Sequence, residues 1–142
     1  MSLQYTAKDR HTYEELISSI SSSKIETKKE IFRRVLLGKL FIDNNYNRKI
    51  EVDEIAKNAF MSEFHFFRSF KEVFGITPHQ YLLSRRLAKA YEELIHSTKI
   101  INTIAIDCGF SDIYSFSKAF KKFFGYSPSL LRAKEAVATF TN

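Results

Sequence analysis

An all-α fold is what this 142-residue sequence predicts, and three observations predict it. Apolar residues recur at helical spacing, as in Phe66, Phe70, Val73 and Phe74 at i, i+4, i+7 and i+8. Strand signals are nearly absent, because with two prolines and four glycines no alternating runs stand between turn clusters. The chain also repeats itself. Laid over 116–128, residues 66–78 coincide at six positions with an offset of fifty: Phe66/Phe116, Phe70/Phe120, Lys71/Lys121, Phe74/Phe124, Gly75/Gly125 and Pro78/Pro128. Upstream, Ile55-Ala56 matches Ile104-Ala105 at an offset of forty-nine, so the second copy carries one extra residue in between. Each copy reads as a short helix, a tight turn, a longer helix, then Gly-x-[Thr/Ser]-Pro.

Residues 1–27 read as an N-terminal arm or linker remnant. A short helix fits 12–17, but Ser18-Ser19-Ile20-Ser21-Ser22-Ser23 has linker composition with little to bury. Met1-Ser2-Leu3 is compatible with an expression scar, and the arm with the end of a linker from a longer protein. From Thr27 the pattern turns helical. Thr27 with Glu30 makes a cap followed three residues on by an acid, and Ile31, Val35 and Leu36 recur at helical spacing as far as about Asp43. Asn44-Asn45-Tyr46-Asn47 then breaks the helix.

The first copy follows. Val52, Ile55 and Ala56 place a short helix at 52–58, Ala59-Phe60-Met61 is the turn, and Ser62 caps the next helix. Gly75 ends that helix as a residue able to take positive φ, and Thr77-Pro78 starts another as cap and first position. This long central helix, 77–97, has a seam of Leu83, Leu87, Ala90, Tyr91 and Leu94, with Arg85, Arg86, Lys89, Glu92 and Glu93 outside it. Its length is about 31 Å at 1.5 Å per residue, near the ~34 Å turn of B-DNA. The second copy repeats the plan. Ile104, Ala105 and Cys108 mark the short helix, Gly109-Phe110 the turn, and either Ser111 or Asp112 the cap. Phe116, Phe120, Phe123 and Phe124 reproduce the apolar stripe, Gly125 closes it, and Ser127-Pro128 opens a last helix that frays near Ala136, leaving 137–142 as a tail.

Hydrophobic residues make up 44% of the chain, 14 of them Phe, enough for a real core. No apolar stretch approaches the ~18 residues a membrane span needs, and no signal-peptide pattern opens the chain. A single cysteine leaves disulfides no part, so a reducing, cytoplasmic setting is expected. The net charge of +6 permits a polyanionic partner; it divides evenly between 1–48 and 49–142, and a local basic cluster stands out in the second copy, where 112–124 carries Lys118, Lys121 and Lys122 against one acid. In 62–74, Arg68 and Lys71 are balanced by Glu63 and Glu72. A duplicated helical unit with a basic outer face points to two DNA-reading elements. The competing reading is a helical protein–protein interaction module using Phe64 and the basic faces. His11, His65, His79 and His96 have no partners at metal-ligand spacing, Cys108 reads as a small core residue, and neither a phosphate-cradling glycine loop nor a Ser/His/Asp arrangement occurs. Neither an enzyme, a metal nor a cofactor is expected.

Ile104-Ala105-x-x-Cys-Gly-Phe-Ser-Asp-x-x-x-Phe-Ser-Lys-x-Phe-Lys-Lys-Phe-Phe-Gly-Tyr-Ser-Pro, ending with Arg132, closely resembles the signature of the AraC/XylS family of transcription regulators. The resemblance covers about 28–134. It implies that 28–136 is a seven-helix domain of two helix-turn-helix subdomains joined by the long central helix. It also implies binding of double-stranded promoter DNA through adjacent major grooves, usually with activation, and so RNA polymerase as a partner. One departure stands out, since Phe60 occupies the slot that Gly109 fills in the second copy. A bulky residue where φ is positive is a strain risk. The chain is then either a complete short regulator or the DNA-binding part of a longer one whose N-terminal effector or dimerisation domain lies outside it.

Helical phase opposite the Phe stripes, together with the family positions, supplies the candidate contacts. Base-reading candidates are Phe64, His65, Phe67 and Arg68 in the first copy and Ile113, Tyr114, Ser117 and Lys118 in the second. Phe67 borders the stripe, with a core role favoured over a reading one, and Ile113 could equally pack inward with Phe116. Ser62, Lys71, Ser111, Lys121 and Lys122 are candidates for phosphate, with capping or plain solvation as the bland reading. Arg85 and Arg86 read as solubility residues.

Overall fold

The structure is a computed structural model that describes residues 12–21 and 24–141. All regular structure among them is helical: α1 (Tyr13–Ser18), α2 (Ile25–Asn45), α3 (Val52–Asn58), α4 (Glu63–Phe74), α5 (Pro78–His96), α6 (Ile101–Asp107), α7 (Ile113–Phe124) and α8 (Pro128–Thr141). Helices α2–α8 are the seven that the family resemblance implies, and α1 is additional. The chain divides into two compact units. One holds the described residues up to Asn45 together with Ile50–Ser84, the other Tyr46–Lys49 and everything from Arg85 on.

In the first unit α2, α3 and α4 pack on one another around Phe32, Val35, Ile42, Ile55, Phe66, Phe70 and Val73, all buried. Gly38 makes this possible, because a Cβ there would run into the Phe66 ring. Helix α2 starts at Ile25, so Thr27 lies inside the first turn and is not the cap. Thr, Glu and Asp suit both the cap and the first turn, so such a pattern locates a start only to within a couple of residues. Helix α1 carries a reciprocal capping box, with Glu15 N–H donating to Thr12 Oγ1 at 3.3 Å and Thr12 N–H to Glu15 Oε2 at 2.6 Å.

The Ser-rich segment after α1 is not a bare linker. Ile17 and Ile20 are 4% and 3% exposed, and the Ser19 and Ser21 side chains bond to Glu72 of α4. Polar composition hides this, since two isoleucines among serines suffice once α2 and α4 supply the other wall. Met1-Ser2-Leu3, Ser22 and Ser23 lie outside the described residues.

In the second unit α7 packs on α6 and α8 around Leu87, Leu94, Ile104, Phe116, Phe120 and Leu131. Two expectations fail here. Phe123 is 44% exposed, whereas its counterpart Val73 is fully buried. Helix α8 continues to Thr141, with Val137 and Phe140 exposed, because no Gly or Pro follows Pro128 and Ala133, Ala136 and Ala138 favour helix. Within α5, Leu87, Ala90 and Leu94 are buried as expected, while Leu83 and Tyr91 are half-buried.

Arg85, Arg86 and Arg132 are structural. Arg86 is half-buried and donates from Nε to the Tyr46 carbonyl at 2.7 Å and from Nη2 to that of Arg48 at 2.8 Å, while the Arg85 guanidinium lies over the Tyr46 ring. Neither is a mere solubility residue. Arg132, in α8, grips the carbonyls of Glu93 and Leu94 in the last turn of α5 and those of Ser97 and Lys99 just beyond it. Arg132→Ala is expected to destabilise the chain by about 2 kcal/mol in urea unfolding, with Arg132→Lys recovering only part, because an ammonium cannot span the same fork.

Candidate nucleic-acid interface

The same turn is built twice. In the first copy Met61 N–H donates to the Ala56 carbonyl at 3.0 Å, and in the second Phe110 N–H donates to that of Ala105 at 3.0 Å. Both turns need a residue with positive φ, filled by Phe60 at 57° and Gly109 at 94°. The departure at Phe60 therefore leaves the turn intact and puts a phenylalanine in the left-handed region. It is tolerated because the side chain is 73% exposed, and because Arg34 Nη1 donates to its carbonyl at 3.0 Å. Position 109 has no such room. A Cβ there would collide with the Tyr46 carbonyl and lie 2.8 Å from Arg86 Nε.

Helix α4 follows the first turn. Ser62 caps it by accepting from His65 N–H at 3.3 Å, and Gly75 closes it with φ 78°. With Phe66 and Phe70 at 0% exposure, the opposite face is set by geometry: Phe64 is 76% exposed, and His65, Arg68 and Lys71 are exposed beside it. Phe67 is 40% exposed, so the core role favoured for it is wrong. It lines, with Phe64, Arg68, Lys71 and Glu72, a groove of about 550 Å³ on this face. Arg68 Nε lies 3.4 Å from Glu72 Oε1 one turn on. Burial pushes the Glu72 carboxyl up, but the N–H and hydroxyl of Ser21, then Arg68, outweigh it and leave the pKa below the usual carboxylate value.

Helix α7 follows the second turn, and Asp112 settles the open choice of cap by accepting from Ser115 N–H at 2.7 Å. Ser111 lends its hydroxyl to the same carboxylate at 3.2 Å. A carboxylate already sits at this helix N-terminus, where a phosphate would otherwise be welcome. The bonds from Ser115 hold its pKa below the ordinary value. The outer face carries Tyr114, 84% exposed, and exposed Lys118, Lys121 and Lys122, with Ile113 and Ser117 half-buried. Helix α7 contains three lysines and no acid, against two acids and two cations in α4. The candidate residues of each copy thus share one face of one helix. Sequence reasoning missed Glu72 and Asp112 as parts of the site. Glu72 at i+4 from Arg68 was the available signal.

Other chemistry is thin. Among the described residues no cluster of three His, Cys, Asp or Glu could hold a metal ion, and no helix is long and apolar enough to cross a membrane. Cys108 is 1% exposed, and burial, with Glu93 and Asp107 nearby, pushes its thiol up to about 11, which suits a packing residue.

A family model for a helix-turn-helix domain matches residues 55–134. A probable transcriptional regulator, LumQ of Photobacterium leiognathi, is 38% identical over 104 residues, 73% of this chain and 42% of that protein. The lactose operon transcription activator of Staphylococcus xylosus is 31% identical over 130 residues, 92% of this chain and 46% of its own length. The chain thus spans less than half the length of these two relatives. Among solved structures, the DNA-binding domain of AdpA in complex with a target DNA superposes with a TM-score of 0.70 at 25% identity, covering 73% of this chain and 94% of that one. A Chromobacterium violaceum transcriptional regulator, described as having an AraC-type DNA-binding domain, gives 0.66 at 27%, covering 80% and 97%. With the duplicated turn, the twin aromatic-backed helices and these matches in place, the chain belongs to the AraC/XylS family of helix-turn-helix transcription regulators.

Proposed function

We propose that this chain is the sequence-specific DNA-binding part of a transcription activator, and that α4 and α7 are its two recognition helices, entering adjacent major grooves of one promoter. The observation that carries this is the pair of exposed polar and aromatic rows, Phe64–Arg68 and Tyr114–Lys118, each backed by fully buried phenylalanines on a duplicated helix. Arg68 is assigned to a guanine, whose O6 and N7 match a guanidinium fork. Phe64 and Phe67 are assigned to a thymine methyl or neighbouring sugar, Lys118 to a base edge, and Tyr114, Ser117, Ile113 and His65 to flanking contacts. Lys71, Lys121 and Lys122 are assigned to phosphates, because among the described residues none of them is paired with an acid. Ser62 keeps its phosphate assignment, but Ser111, already spent on Asp112, does not. Activation is supported by what the Staphylococcus relative is named for, and it makes RNA polymerase a partner. An effector or dimerisation domain and a cytoplasmic setting complete the reading; residues 28–136 are its DNA-binding domain.

Selection of bound sequences from random duplexes tests it, with two short preferred blocks about one helical turn apart as the expected result. Arg68→Ala should then relax preference at one base position of one block by ~1–3 kcal/mol. Lys121→Ala should weaken specific and random duplexes alike and make the salt slope shallower by about one unit. Binding that ignores salt and sequence would instead identify the groove beside Phe64 and Phe67 as a protein-docking surface.

A further inference from the structure

Extending the assignment of Arg68 to a base, on which this rests, we propose that residues 12–21 position the first reader: Ser21 clasps Glu72, and Glu72 in turn holds Arg68 in the orientation from which it meets the base. Among the described residues, three hydrogen bonds join Ser19 and Ser21 to Glu72 in the last turn of α4. Ser21 donates its N–H to Glu72 Oε2 at 3.1 Å and its hydroxyl to Oε1 at 2.8 Å, and the Ser19 hydroxyl donates to the Glu72 carbonyl at 3.1 Å. The segment is anchored independently by burial of Ile17 and Ile20, so the clasp is attached to a docked element.

Oε1 is the same oxygen that takes Arg68 Nε at 3.4 Å. An Arg–Glu pair at i,i+4 on an open helix surface is ordinarily two mobile side chains and contributes little. Here the carboxylate is held from outside the helix by the N–H and hydroxyl of Ser21, which favour its ionised form. With Nε engaged, the two Nη groups are left to bond the paired acceptors of guanine. The arginine, 62% exposed, is thereby ordered before it binds rather than at the moment of binding.

The second copy has no such device. The position equivalent to Glu72 is Lys122, so Lys118 faces a like charge one turn on. The clasp therefore sharpens one half of the site only.

The test uses the full chain and duplexes in which each base of the selected site is varied. Ser21→Ala should lower discrimination at the Arg68 base about three- to tenfold, the scale of pre-ordering one flexible side chain. It should leave other base positions unaffected, and Ser21→Thr should restore the loss. Glu72→Ala should produce at least the same loss, since the Ser21 N–H still grips the carboxylate in Ser21→Ala. Neither change should add to Arg68→Ala. Unchanged discrimination in both Ser21→Ala and Glu72→Ala, with Arg68→Ala erasing it, would overturn the clasp and leave the assignment of Arg68 standing. Equal weakening at every position would overturn it as well, since the segment would then act through stability alone. Intact base preference in Arg68→Ala would remove the assignment itself.

Discussion

Gly109→Ala is expected to destabilise the chain by about 3 kcal/mol and to lower its melting temperature by roughly 10 °C. Two effects combine. The residue holds φ 94°, which a side chain tolerates badly, and the added methyl would collide with the Tyr46 carbonyl, a backbone atom that cannot rotate aside. Tyr46 is itself held by Arg86, so relief would break that bond too. Gly125→Ala is the control. Its φ of 87° is similar, but nothing lies within 4 Å of the site, so only the conformational part remains, about 1 kcal/mol. Equal losses in the two variants, read by thermal circular dichroism, would show that close approach plays no part at 109. The reverse change, Phe60→Gly, should stabilise by up to ~1 kcal/mol, since relief of left-handed strain exceeds the added freedom of the unfolded chain.

Phe120→Ala is expected to remove about 3–5 kcal/mol, and Phe123→Ala less than about 1 kcal/mol. Phe120 is fully buried, with its ring centroid 5.6 Å from that of Phe116 and 4.5 Å from that of Phe124. Truncation leaves a ring-sized void in the wall that backs α7. Phe123 is 44% exposed and leans edge-on against Phe124, so water already solvates much of what would be removed. Parallel urea titrations compare the two directly, and similar midpoints would contradict the burial difference. If α7 reads DNA as proposed, affinity should follow Phe120 and not Phe123, because a helix without its backing cannot keep a fixed outer face.

The repeat, the turns and the stripes were legible because they depend on local rules. A capping hydroxyl or carboxylate at Ser62 and Asp112, a left-handed glycine at Gly75 and Gly125, and a threonine–proline start at Pro78 act over a few residues and recur as patterns. The strain at Phe60 was legible too, by comparison with its twin. What periodicity could not decide was whether Phe123 is covered as Val73 is, or whether Phe67, at the border of the stripe, is covered at all. For such positions the facing elements decide which side of the edge is covered. Arg86, Arg132 and the Ser-rich segment were misread or passed over for the same reason. Their partners lie 40, 38 and 51 residues away, and an arginine or a serine looks solvated until its acceptor is known.

By itself, then, the sequence determined that two aromatic-backed helices would each present a short row of polar side chains, because helical phase relates one face to the other with no outside information. Only the tertiary structure decided that Glu72 is held from the N-terminal segment, that Arg132 grips carbonyls at and beyond the end of α5, and that position 109 admits no side chain. Those outcomes depend on which distant atoms arrive within three or four ångströms, and composition and spacing carry no record of that.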